Sequence, residues 1–328
     1  MKRLGGILIG IVVAVAVILA GGWLALRRPD IPWPTLQAKY ANAASRYADL
    51  PGGLRVHYRD QGRRDGPTLV MVHGFAASLH TWEPWVQRLG ADYRIVTLDL
   101  PGFGLTSAPE GYRVTRRAYP EVVDQLTRGL GIERFVLVGN SMGGGVAWSY
   151  ALAHPDRLEG LVLVDSAGWP RDRADGRDGP LVFKVLASPA GRLLLRDLDS
   201  SAMTRAGLRD AFEPTPDMVD EAMLARYVEM ARAPGHRDII MGLMSGHDPR
   251  DDASKARLAK IAVPTLVMHG DTDRLIPVAD AGRFGEAIPG AKVIIYPRIG
   301  HIPMEQIPDR SAADLDAWLK AAVWPVRP

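Results

Sequence analysis

Apolar residues along this chain fall into short blocks separated by turn formers. Seven blocks read as extended: "LRVHYRD" (54–60), "TLVMVHG" (68–74), "YRIVTLDLPGFG" (93–104), "RFVLVGN" (134–140), "LEGLVLVDSAG" (158–168), "VPTLVMHGDTD" (263–273) and "AKVIIYPRIGH" (291–301). Six of them are dense in Val, Ile and Leu with no polar alternation, which is the pattern of parallel strands covered on both faces. Between them, residues 81–89, 119–130, 142–153, 279–288 and 309–322 read as helices. This alternation predicts an α/β fold built on one mostly parallel, doubly wound sheet.

The regularity breaks over residues 169–256. No buried-strand block occurs there, only short helical patterns such as "PLVFKVLASPAGRLLLRDL" and "PDMVDEAMLARYVEM" broken by Pro, Gly and Asp. The stretch is expected to be a helical lid inserted between two strands. It splits the core into residues 46–168 and 257–328. Its apolar residues Leu181, Phe183, Leu186, Leu193, Met223, Leu224, Tyr227 and Met230 are candidates to line a pocket. At helical spacing such residues more often pack within the lid itself, so the substrate-binding residues stay unassigned.

The amino terminus is a separate object. Residues 4–26 carry no charge, and as a helix they would extend about 34 Å, enough to cross a hydrocarbon core of roughly 30 Å. Lys2 and Arg3 precede the run, Arg27 and Arg28 follow it, and Trp23 lies near one end as an interface anchor does. Residues 1–28 are therefore expected to form an N-terminal transmembrane helix. The alternative is a signal peptide with its apolar region at 7–19 and with Ala20 and Gly22 as the small residues before a cut, which would release a secreted protein. The apolar run continues past that point, which favours the uncleaved anchor. The short basic start points to a cytoplasmic terminus and an extracytoplasmic catalytic domain. "PDIPWP" (29–34) is too rich in proline to continue a helix, so residues 29–45 are expected to be a linker.

Composition narrows the function classes. The 328 residues carry a net charge of +3, with basic and acidic residues interspersed, so nucleic acid is not expected as a partner. There are no cysteines, which excludes disulfides, zinc–thiolate sites and cysteine nucleophiles.

The chemistry concentrates at "GNSMG" (139–143), between an expected strand and an expected helix. G-x-S-x-G in that context is a nucleophile elbow, in which the serine sits on a strained turn and its neighbours must lack Cβ atoms. Ser141 needs a base, and the base needs an orienting carboxylate. Of the eight histidines, His301 in "GHIPMEQ" follows the last strand and lies downstream of Ser141. His73 and His269 each end a strand before glycine and read as turn residues. His57, His80, His154, His236 and His247 have no motif context. In "HGDTDRLIP" (269–277), Asp273 is preferred as the acid over Asp271, which directly follows the glycine and is better placed to brace the turn. Asp165, after "LVLV", is a second-line acid whose simpler reading is a brace for the lid hinge. The turn in "VHGFAAS" (72–78) places the Phe75 N–H where, with the Met142 N–H, it would form a two-donor oxyanion hole.

Taken together, "HGFAAS", "DLPGFG", "GNSMGGG", "HGDTDRLIP" and "GHIPMEQ", in this order over residues 46–322, resemble the α/β-hydrolase superfamily. The resemblance implies the α/β-hydrolase fold with a helical lid after the sixth strand. It also implies Ser141 as nucleophile, His301 as base, Asp273 as acid, and Phe75 and Met142 as backbone donors. Members with an aspartate nucleophile differ at position 141. The carbon–carbon bond hydrolases share "GNSMGG" but usually carry "HGGGPG" where this chain has "HGFAAS". The combination of motifs and N-terminal run is more similar to bacterial lipases, esterases and membrane-bound monoacylglycerol lipases. The expectation is a membrane-anchored serine hydrolase that cleaves carboxylic esters through an acyl-enzyme and needs neither metal nor organic cofactor. A carbon–carbon bond hydrolase or thioesterase on the same triad is the alternative.

Overall fold

The Val-, Ile- and Leu-rich blocks pair into one eight-stranded sheet in the order β1-β2-β4-β3-β5-β6-β7-β8. The computed structural model describes residues 2–115, 117–170, 191, 195–245 and 252–325, without the side chains of residues 2–10, 12, 16 and 245. The strands are β1 (Ser45–Leu50), β2 (Leu54–Gly62), β3 (Thr68–Val72), β4 (Arg94–Leu98), β5 (Phe135–Asn140), β6 (Leu158–Val164), β7 (Thr265–Gly270) and β8 (Lys292–Tyr296). β4, β3, β5, β6, β7 and β8 run parallel, and β2 and β1 are antiparallel additions at one edge. β3, β5, β6 and β7 lie in the middle and bury nearly every residue, as strands covered on both faces must.

Among the described residues the helices are α1 (Lys2–Leu26), α2 (Trp33–Tyr40), α3 (Glu83–Leu89), α4 (Ala118–Gly129), α5 (Met142–Ala153), α6 (Ser201–Ala211), α7 (Glu221–Ala231), α8 (His236–Ser245), α9 (Lys255–Leu258), α10 (Ala279–Ala287), α11 (Pro303–Gln306) and α12 (Pro308–Trp318). The period-two alternation of each strand sorts its side chains between two cores. Val70, Val72 and Leu137 face α4, α5 and α10 through Val122, Val146 and Phe284. Leu69, Met71 and Val138 face α3 and α12 through Trp85 and Leu315, and the lid joins this core through Leu208, Phe212 and Leu224.

Two expectations change here. Residues 29–45 are not simply a linker. Pro34 falls in the first turn of α2, where a missing N–H breaks no helical bond, so the prolines start a helix as well as stopping one. Leu36 on α2 is buried with Leu105 and Ala233, and Lys39 and Tyr40 both bond Glu229 of the lid helix α7. The chain then enters β1, a sheet-edge strand that the block pattern did not pick out. The N-terminal run does form a 25-residue helix. That it spans a membrane does not follow from the structure: among the described residues, no helix is long and apolar enough to cross one. However, the side chains of Ile11, Val13, Val15, Val17, Ile18, Leu19, Leu24 and Leu26 are open to solvent, Ile18 at 72% and Leu19 at 68%.

Where α1 ends, it is pinned to the lid. Arg27 pairs with Asp197 at 3.0 Å and Arg28 with Asp199 at 3.1 Å. The Asp199 N–H donates to the Leu26 carbonyl and the Arg28 N–H to the Asp197 carbonyl. Asp30 accepts from both Arg196 and Arg237.

Candidate active site

Ser141 stands between β5 and α5 with φ 54° and ψ −117°, a conformation that non-glycine residues rarely adopt. It is held there from both sides. Its N–H donates to the Val164 carbonyl at 2.9 Å, and its carbonyl accepts from Ala167 at 3.0 Å and Gly145 at 3.1 Å. The glycines are required by contact. A Cβ on Gly139 would lie 2.1 Å from the Gly143 carbonyl oxygen, and one on Gly143 would lie 2.2 Å from that of Val72. Side chains at either position would drive α5 off β3 and β5 and flatten the turn that lifts the serine.

Asp273 and His301 come together from the loops after β7 and β8. His301 Nδ1 donates to Asp273 Oδ2 at 2.6 Å, and both side chains are nearly or fully buried. This leaves Nε2 as the ring nitrogen not held by the carboxylate. Asp273 Oδ1 accepts the N–H groups of Leu275 at 2.7 Å and Ile276 at 3.0 Å. Burial alone would raise the Asp273 carboxyl, but the hydrogen bond and charge of His301, with those two N–H groups, outweigh it and hold it below its usual value. No hydrogen bond joins Ser141 Oγ to the imidazole in this structure. The two residues are linked through Asn140, whose Nδ2 donates to the His301 carbonyl at 3.1 Å. The lid touches the same loop, because the Ala211 carbonyl at the end of α6 accepts the His301 N–H at 2.8 Å.

The expected oxyanion donors belong to the loop after β3 and to the first turn of α5. A Cβ on Gly74 would meet the Ser141 Cβ at 3.1 Å, which measures how closely the Phe75 loop approaches the elbow. Met142 is the first residue of α5, so its N–H has no partner within the helix. Among the described residues, neither the Phe75 nor the Met142 N–H donates to a protein acceptor. The Phe75 side chain is itself 40% exposed and packs edge-on against Phe103.

Other sequence candidates take supporting places. Asp271 Oδ1 accepts the Arg298 N–H at 2.6 Å and braces the turn, as the sequence suggested. His73 bonds the Gly74 carbonyl through Nδ1 and accepts the Leu100 N–H at Nε2. His269 Nε2 lies 3.1 Å from the Ile276 carbonyl, and burial lowers its pKa. His57, which had no motif context, is fully buried: its Nδ1 is 2.7 Å from Asp99 and its Nε2 is 2.9 Å from Ser45. This is a second Ser–His–Asp arrangement, but Ser45 begins the edge strand β1 and has no helix N-terminus or glycine turn to supply donors. Asp99 also accepts the N–H groups of Leu79 and Leu105, so the group ties down the loop after β3. Asp165 is buried against Asp273, a relation that sequence order could not give because it needs the ends of β6 and β7 side by side.

Among the described residues, the two groupings with metal-ligand spacing are Asp165, Asp273 and His301, and Glu121, Asp124 and His154. In the first, His301 and Asp273 already bond each other. In the second, Asp124 is committed to Arg128, Tyr150 and Arg157. Leu181, Phe183, Leu186 and Leu193 lie outside the described residues. Met223, Leu224 and Tyr227 pack into the core between lid and sheet, and Met230 is also buried, so these four are packing residues before they are a pocket lining.

A family model for the alpha/beta hydrolase fold matches residues 67–307, which include every residue of this site. The chain is 27% identical to 2-hydroxymuconate semialdehyde hydrolase of Pseudomonas sp. (strain CF600), over 77% of this chain and 86% of that protein. It is 30% identical to a 2-hydroxy-6-oxononadienedioate/2-hydroxy-6-oxononatrienedioate hydrolase of Paraburkholderia phymatum, over 79% of this chain and 90% of that protein. These names agree with the carbon–carbon bond alternative better than with the ester reading. Among solved structures, a membrane phospholipase A described as a bacterial virulence factor aligns over 98% of this chain and 99% of its own, with 26% identity and a TM-score of 0.68. The motif order, the topology and these matches agree: this chain belongs to the α/β-hydrolase fold family.

Proposed function

We propose that this chain is a serine hydrolase that cleaves carboxylic esters of lipid character. The observation that carries the reading is the Asp273–His301 pair at the same sheet edge as the strained Ser141 elbow. His301 Nε2 takes the Ser141 proton as Oγ attacks the ester carbonyl. Asp273 holds the imidazole tautomer and stabilises the imidazolium. The Phe75 and Met142 N–H groups receive the oxyanion, and each such donor is worth about 3–4 kcal/mol. Protonated His301 then gives its proton to the leaving alcohol, and a water deprotonated by the same imidazole cleaves the acyl-enzyme.

Two observations support a lipid ester. The solvent-open apolar face of α1 suits a lipid surface. The structural similarity to the membrane phospholipase A covers 98% of this chain, whereas that to a meta-cleavage product hydrolase covers 86%. On this reading α1 seats the enzyme in a membrane, with the catalytic domain on the extracytoplasmic side. The second reading, hydrolysis of a carbon–carbon bond beside a carbonyl, is favoured by the names of the curated relatives. It uses the same serine and imidazole and differs in expelling a stabilised carbanion.

The experiment is a substrate panel on the full chain in detergent, beside Ser141→Ala. It would contain p-nitrophenyl esters from acetyl to palmitoyl, a phospholipid, and a ring-cleavage dienoate. Ester turnover lost in the variant supports the first reading. Turnover confined to the dienoate replaces it with the second.

A further inference from the structure

Asp165 ends β6 one strand away from the Asp273 loop, and the mechanism above does not use it. Its backbone has φ +44°, a left-handed conformation, and its N–H donates to the Met268 carbonyl at 2.9 Å. The side chain is fully buried. Oδ1 accepts the Gly270 N–H at 2.9 Å. Oδ2 is buried with no hydrogen-bond partner. Asp165, Asp273 and His301 each bring one oxygen or ring nitrogen within 4.8 Å of the others.

Two carboxylates this close, away from water, do not both ionise. The surroundings decide which keeps the proton. Asp273 has the imidazole and two backbone N–H groups, whereas Asp165 has one N–H. The proton therefore belongs on Asp165, and the unpartnered Oδ2 is the atom to carry it. His269 Nε2 also faces the pair, 3.7 Å from Asp165 and 3.5 Å from Asp273, but it lies against the Ile276 carbonyl and burial keeps it neutral. From β8, Tyr296 lies within electrostatic reach of Asp165, and its hydroxyl donates to Asp314. Burial, and after it the Asp273 charge, push the Asp165 carboxyl well above the usual carboxylate range.

We propose that Asp165 is a reserve carboxylate for the triad: protonated and idle at rest, it becomes the ionised partner of His301 when Asp273 is neutralised. In that event its proton leaves to solvent and its charge replaces the one lost. Asp165 is a positioning residue, since it acts through Asp273 and His301 and does not touch substrate. The proposal rests on the Ser141–His301–Asp273 reading.

The test uses the full chain in detergent and compares Asp165→Asn, Asp273→Asn, the double variant and Ser141→Ala. Asparagine suits position 165 because it adopts left-handed backbone readily, has nearly the same shape and cannot ionise. The readout is the pH dependence of Ser141 phosphonylation by a fluorophosphonate probe, followed by mass spectrometry, which needs no knowledge of the substrate. Asp165→Asn alone should label at close to the wild-type rate with an unchanged profile. Asp273→Asn should slow labelling by about 10²-fold, short of the loss of about 10⁴ expected when the imidazole has no carboxylate at all. The double variant should fall at least about tenfold further, toward that limit. Infrared spectra should show a protonated carboxylic acid band in the wild type that disappears in Asp165→Asn. A double variant no slower than Asp273→Asn, an Asp165→Asn as damaged as Asp273→Asn, or no acid band overturns the proposal. A wild type that labels no faster than Ser141→Ala instead removes the triad reading itself, and this proposal with it.

Discussion

The side-chain amide of Asn140 donates to the main-chain carbonyl of His301, 161 residues away in sequence, at 3.1 Å. The residue before the serine thus sets the height of the histidine loop over the sheet edge. Asn140 is buried and donates also to the Val164 carbonyl. Asn140→Ala should destabilise the fold by about 1–2 kcal/mol, because it leaves the His301 carbonyl without its donor. It should lower kcat by about tenfold while leaving KM nearly unchanged, because a misplaced base weakens the transition state more than the bound substrate. Steady-state kinetics beside a urea titration would check both parts, and an unchanged kcat would remove the positioning role.

Gly143→Ala places a methyl group 2.2 Å from the Val72 carbonyl oxygen and 2.6 Å from that of His73. Both obstacles are backbone, so α5 or β3 must shift. The expected loss is about 2–3 kcal/mol of stability, with activity below detection, since the shift moves the elbow and the loop beside it together. Gly282, on α10, has no heavy atom near the corresponding position. Gly282→Ala is the control and should leave the melting temperature at or above that of the wild type.

Asp165 makes stability depend on pH in an unusual direction. An unfolded aspartate ionises near about 3.9, whereas folded Asp165 keeps its proton to higher pH. Between those two values the folded state binds more protons than the unfolded one, so this residue lowers stability as pH rises. Asp273 acts oppositely: its depressed carboxyl contributes stability above about pH 4 that is lost as pH falls through its folded value. Melting temperatures of wild type and Asp165→Asn, measured from acid to neutral pH, should separate in favour of the variant as pH rises. Parallel curves would mean that Asp165 ionises as freely as in the unfolded chain.

Asp197 receives Arg27 at 3.0 Å, Arg196 at 2.7 Å and Arg237 at 3.1 Å. Asp197→Ala leaves three guanidinium groups facing one another. With Arg27 about half exposed, the expected loss is about 1–2 kcal/mol, less than for a fully buried network. Limited proteolysis should then cut faster between residues 27 and 40, with the ester turnover of the uncut protein unchanged. Equal cutting rates would show that the segment is held without the Asp197 carboxylate.

The full chain should float with lipid vesicles on a density gradient, and a chain beginning at residue 27 should not. Ile18→Lys and Leu19→Lys together should reverse flotation, since each puts a charge where a large apolar side chain is now open to solvent. Flotation of the shortened chain would move the lipid-binding surface onto the catalytic domain.

Most of the sheet was legible because its inner strands are covered on both faces and must be apolar throughout. β1 was not: its "SRYADL" alternates exposed and half-buried positions at a sheet edge, which resembles loop composition. α2 escaped for a similar reason, since Leu36 is its one buried residue. At the site, Ser141, Asp273 and His301 announced themselves through local motifs and chain order. The Asp165–Asp273 and Asn140–His301 relations did not, because each exists only when loops from different strands meet. For Met223, Leu224 and Tyr227 the helical spacing favoured packing over a pocket wall, and they do pack, though into the core shared with the sheet and not only within the lid.

The pinning of Arg27 and Arg28 to Asp197 and Asp199 leaves no slack between the end of α1 and the lid. A long flexible leash would let a catalytic domain roam through a volume of water and meet its substrates by chance. A rigid junction confines it to a shell one domain thick. With α1 seated in a lipid surface, the search for substrate becomes two-dimensional, and geometry rather than affinity sets the local concentration of reachable ester. On the ester reading, esters seated at one fixed depth would be cleaved readily, whereas chemically identical ones dissolved in bulk water would meet the site far less often.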